Sequence, residues 1–216
     1  MKAEEITKNI FHINFPTREE LAKTFLRFQE HYESVEFKGK IFTLEEFKTW
    51  YIKNSSKGKE TGEFTYYIDW SGFNIPSEVL NPFYESRFNP LSEREQVFLD
   101  LFVSKEHPFY IIGTYGDDNV STLKHEIAHG LFYTNPKYKA EVLKVLEEID
   151  TQKRTEINRF LEKMGYHPQV WQDETHAFIL TGSKSKKFEE HVDISALSNI
   201  KNKLNQIFNR YHPNFH

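Results

Sequence analysis

The feature that most constrains how this chain folds is a repeated helix-start signal. Thr17 is followed three residues later by Glu20, Thr43 by Glu46 and Ser92 by Glu95. In this spacing the hydroxyl and the carboxylate reciprocally satisfy backbone N–H groups that the first helical turn leaves without partners. Behind each pair, in REELAKTFLRFQEHY, LEEFKTWYI and EREQVFLDLFV, apolar residues recur every three or four positions, as one buried helix face requires. Three scaffold helices are therefore expected in the first half.

The intervening segments read differently. EFTYYIDW (63–70) and PFYIIGTY (108–115) are rich in aromatic and β-branched residues and are expected as strands, the second ended by Gly113 and Gly116. VEFKGKIFT (35–43) is expected as a hairpin about Gly39. KNSSKGKETG (53–62) reads as a polar, mobile loop, and SGFNIPSEVLNPF (71–83) as a turn-rich connector. After residue 116 the pattern turns helical. STLKHEIAHGLFY has Asp118, Asn119 or Ser121 as N-cap candidates. PKYKAEVLKVLEEI has a proline at its helix start, and TEINRFLEKMGY stops at Gly165. WQDETHAFILTG stops at Gly182, and ISALSNIKNKLNQIFNRY is amphipathic. The expected fold is α+β: a small sheet with helices in the first half and a mostly helical second half. It is read as one domain over 1–216, with an N-terminal α/β lobe (about 1–116) and a C-terminal helical lobe (about 117–216).

Composition narrows the function classes. There is no cysteine, so disulfides, thiolate metal sites and cysteine nucleophiles are excluded. A net charge of −4 gives no general attraction to nucleic acid or anionic membranes, and neither is expected as a partner. No segment reaches the roughly 18–20 apolar residues of a membrane span. MKAEEITKNIFHINFPTREE lacks the apolar run of a secretory leader, so the expected compartment is cytoplasmic.

Chemistry concentrates in STLKHEIAHGLFY. Residues four apart share one helix face, so His125 and His129 can present both imidazoles to one point. Zn²⁺ accepts imidazole nitrogen, and a catalytic site uses three protein ligands and one open position. Glu126, next to the first histidine, is placed to take a proton from an attacking water and pass it to a leaving amine. Val120, Leu123, Ile127 and Leu131 surround the motif with apolar side chains, while Ala128 and Gly130 keep the helix slim. Buried polar groups of this kind need partners, and a metal supplies one. Without it, 125–129 is a polar patch on an ordinary helix.

A third ligand is expected downstream. No H-E-x-x-H-x-x-G-x-x-H continuation exists, since Tyr133 and Pro136 stand near where its last residues would fall, so the metzincin class is not the expected one. In WQDETHAFILTG, Glu174 interrupts an apolar helix pattern, with Ala177 three residues later to permit close packing. His176 is the alternative. It lies about 200° around the helix from Glu174, so both cannot face one metal. Glu147 and Glu148 read as a solvated helix face. Tyr166 and His167 are candidates for steadying an oxyanion.

H-E-x-x-H followed, after two intervening helices, by a glutamate on its own helix resembles the gluzincin type of zinc metallopeptidase. The resemblance covers about residues 108–182, and 1–107 carries none. It implies a zincin-like active-site helix, Zn²⁺ as cofactor, His125, His129 and Glu174 as its ligands, Glu126 as general base, and a peptide or protein substrate. It also implies that FYIIGTY forms the sheet edge along which substrate lies. One departure stands out. The family often carries an acid four residues after the ligand glutamate, where this chain has Phe178, which leaves Asp173, Asp117 or Asp118 to support a ligand histidine. A second reading keeps the same site in a metal-stabilised binding or regulatory module with little or no hydrolysis.

Overall fold

A computed structural model describes residues 1–116, 120–181, 188 and 191–212, without the side chains of 120 and 121. Contacts divide the chain into two compact units, Met1–Asn119 and Val120–His216. The fold is α+β. No helix among the described residues is long and apolar enough to cross a membrane.

The first unit holds a four-stranded mixed sheet: β1 (Glu4–Thr7), β2 (Ile10–Phe15), β3 (Gly72–Pro76) and β4 (Tyr110–Tyr115), in the order β1-β2-β4-β3. β2 and β4 run parallel, and the two outer pairs are antiparallel. Six helices accompany it: α1 (Arg18–Glu33), α2 (Leu44–Asn54), α3 (Ser56–Thr61), α4 (Tyr66–Asp69), α5 (Asn81–Tyr84) and α6 (Glu93–Asp100). The capping boxes at Thr43–Glu46 and Ser92–Glu95 are complete, whereas Thr17 caps α1 but the Glu20 side chain turns to Arg94 instead. Glu95 does more than cap. It is buried and takes both Nε and Nη2 of the buried Arg27 at 2.6 Å, which ties α6 to α1.

β4 runs straight through Gly113 rather than ending there. A Cβ at 113 would lie 2.5 Å from a Phe25 ring carbon and 2.7 Å from Leu21, so the glycine lets α1 settle onto the sheet. β4 is also an interior strand, hydrogen-bonded to β2 on one side and β3 on the other. The sheet edges are β1 and β3, not the expected FYIIGTY.

Several local expectations fail for one reason: aromatic side chains are recruited to the core of this unit, and the backbone follows them. Residues 35–43 form turns rather than a hairpin, because Phe37 and Phe42 turn into a cluster with Phe47 and Phe88. Within 63–70, Tyr66–Asp69 is a short helix, held where the Tyr51 hydroxyl meets Asp69 and Thr65 and where Tyr66 donates to Glu30 at 2.7 Å. The loop expected at 53–62 contains α3, capped by Ser55 and ended by Gly62 in the left-handed region. Gly58 is needed in it, because a Cβ there would lie 2.2 Å from the Tyr51 carbonyl oxygen. The connector expected at 71–83 contains β3, and the N-terminal β1–β2 hairpin went unread.

The second unit is helical among its described residues: α7 (Val120–Thr134), α8 (Pro136–Leu146), α9 (Thr151–Lys163), α10 (Trp171–Thr181) and α11 (Ser198–Tyr211). α10 packs against α7, and α11 against α8. Asn135 caps α8 ahead of Pro136, Asp150 caps α9, and Gly165 follows α9 with a positive φ. The three α7 cap candidates and the stop at Gly182 lie outside the described backbone or side chains.

Candidate metal centre

α7 and α10 bring together residues that lie some 45 positions apart in the chain. One donor atom each from His125, His129 and Glu174 lies within 4.8 Å of the others. His125, Glu126 and His129 are buried, and the Glu174 side chain is nearly so. Glu174, not His176, is the third member of this group.

Two neighbours stand against the Nδ1 atoms of the two histidines. The Thr181 hydroxyl donates its one hydrogen to the Ala177 carbonyl at 2.7 Å. Its oxygen also lies 3.2 Å from His125 Nδ1, so the hydrogen in that contact belongs to the histidine. In this contact His125 donates from Nδ1. At His129, Nδ1 lies 2.9 Å from Asp173 Oδ1, while Nε2 lies 3.8 Å from Glu174 Oε2. Both imidazoles thus turn Nδ1 toward a supporting oxygen, the arrangement that orients metal-bound histidines.

A metal fits this donor set on two counts. Tetrahedral nitrogen and oxygen ligands at about 2.0–2.1 Å stand roughly 3.3 Å apart, within reach of the 3.8 Å found between His129 Nε2 and Glu174 Oε2. The local charge also calls for a cation. Burial alone would lower the pKa of His129, but the carboxylates of Asp173, Glu174 and Glu126 outweigh it and push it up to about 10. Asp173 Oδ1 is buried with no well-aligned hydrogen-bond partner despite the close histidine.

Of the three acids expected to support a ligand histidine, Asp173 is the one that lies against His129 Nδ1. Asp117 and Asp118 lie outside the described residues. Phe178, which replaces the expected acid, sets its ring edge-on to His125 with centroids 5.2 Å apart. His176 is fully buried, with Nδ1 3.3 Å from the same Asp173 oxygen, and burial pushes its pKa down to about 4. Sequence spacing did not reveal Thr181, because its contact with His125 spans 56 residues. His167 is exposed, and its Nδ1 accepts from the Gln169 N–H as the cap of a short 3-10 turn. Tyr166 accepts from Trp171 Nε1 through its carbonyl and packs near Phe178.

No known protein family, curated protein or solved structure matches this chain.

Proposed function

We propose that the chain is a zinc-dependent peptidase, with His125, His129 and Glu174 as metal ligands and Glu126 as general base. The observation that carries the reading is the paired orientation of the two histidines. Thr181 lies against Nδ1 of His125 and Asp173 against Nδ1 of His129, while Nε2 of His129 faces Glu174 on the packed partner helix. A scaffold histidine pair has no need of that arrangement.

Zinc held there would supply Lewis acidity, polarising a scissile carbonyl and acidifying a water. The protein's own part is proton handling and positioning. Glu126, buried beside His125, accepts a proton at a carboxylate oxygen as water attacks, then returns it to the departing amine. Asp173 and Thr181 keep the histidine rings from turning. The substrate class is a peptide or protein.

The binding or regulatory reading draws on one observation: β4 is paired along both edges, so it offers no free edge for an extended peptide. One set of measurements separates the two. Bound zinc per chain and hydrolysis of a mixed peptide pool are measured for wild type, Glu126→Gln and Glu174→Ala. The peptidase reading expects near-stoichiometric zinc and hydrolysis in wild type, zinc without hydrolysis in Glu126→Gln, and loss of zinc in Glu174→Ala. Wild-type zinc with no hydrolysis favours the binding module. A wild type that holds no zinc after reloading removes both readings.

A further inference from the structure

We propose that His176 is a positioning residue for this centre: it braces Asp173, and Asp173 in turn orients His129. The inference rests on the zinc reading above and adds a layer behind its ligands. A single carboxylate oxygen, Asp173 Oδ1, lies 2.9 Å from His129 Nδ1 and 3.3 Å from His176 Nδ1. It is wedged between two imidazoles. A carboxylate contacted on one side only is free to swing, whereas one approached from two sides keeps its heading.

His176 is itself held. Its ring stacks on Phe132 with centroids 5.0 Å apart and planes 21° from parallel, and meets Tyr138 edge-on at 5.9 Å. It stands edge-on to His129 at 6.1 Å. A packing role alone would be better served by phenylalanine. A fully buried imidazole is a costly way to fill space, because its nitrogens need polar neighbours, here the Asp173 carboxylate and the backbone at Asp173 and Ala128. The nitrogen that faces Asp173 gives that cost a purpose.

The test uses the full chain with four substitutions. His176→Phe keeps the ring stack and removes the donor. His176→Asn keeps an N–H near the Nδ1 position, and His176→Gln moves it toward the Nε2 position. Asp173→Asn removes the carboxylate. Zinc affinity is read by chelator competition, and ligand geometry by the visible absorption of the cobalt-substituted protein. The brace expects His176→Phe to weaken zinc binding about tenfold and to alter the cobalt spectrum. His176→Asn should stay within about threefold of wild type, and His176→Phe added to Asp173→Asn should bring little further loss. Wild-type affinity in His176→Phe, or a loss that adds in full to that of Asp173→Asn, overturns it. If His176→Phe does not fold, equal zinc affinity in His176→Asn and His176→Gln does the same. A wild type that binds no zinc ends the metal reading, not the brace. The Asp173–His176 coupling is then read from the unfolding free energies of the single and double variants, and additive effects overturn it.

Discussion

A hydroxyl has one hydrogen, and at Thr181 it goes to the Ala177 carbonyl. That fact makes His125 Nδ1 the donor in its contact with Thr181. Thr181→Val keeps the shape and removes the acceptor. Zinc affinity should fall about tenfold, measured by chelator competition, with helix content unchanged. An unaltered affinity would mean that His125 needs no such support. At this scale the proposed site residues were legible and the side chains packed behind them only partly so. His125, Glu126 and His129 follow from helical spacing, and Glu174 from being the one glutamate in an apolar helix pattern. Asp173 could be placed among candidates but not chosen, because the usual supporting position holds Phe178. Thr181 and the brace at His176 depend on how α7 packs on α10, and no local spacing reports that.

Among the elements, Glu95 carries the most consequence. Its carboxylate closes the capping box of α6 through the Ser92 N–H at 2.7 Å and also pairs with Arg27. Arg27 donates as well to the Phe88 carbonyl, at 2.9 Å. Glu95→Ala would strand a buried guanidinium. Its cost should be about 3–5 kcal/mol in urea unfolding, against about 1 kcal/mol for loss of the Thr17 cap in Thr17→Ala. Comparable costs would show that Arg27 finds another partner. Helices with capping boxes or proline starts were legible because their signals are local. The sheet was not. β1, β2 and β3 are short, and β2 pairs with β4 across about 100 residues. The runs at 35–43 and 63–70 have strand-like composition, yet they follow their aromatic rings into the core. Whether a phenylalanine packs along a strand or into a cluster is decided by distant neighbours such as Phe47 and Phe88.

For the whole molecule, two buried histidines set a pH window once the protein is treated with a chelator. His129, raised to about 10, adds stability that is complete below about 6.5, the unfolded value, and is lost as pH climbs toward 10. His176, lowered to about 4, adds stability that is present above 6.5 and is lost as pH falls toward 4. These two contributions should place the unfolding midpoint of the chelated protein at its highest near pH 6.5, with each group worth up to about 1.4 kcal/mol per pH unit outside it. A flat profile from pH 5 to 9 would contradict both shifts. On the zinc reading the metal must displace the proton on His129, so its apparent affinity should rise with pH across the neutral range. Every donor and support of the centre sits on α7 or α10, with Ala128 and Ala177 both fully buried on those helices. A slip of one helix turn, about 5.4 Å, would part His125 from Thr181 and His129 from Asp173 together. The cluster is therefore a gauge of helix register: on the zinc reading, a substitution far from it that nudges α7 along α10 would be felt first as a loss of metal.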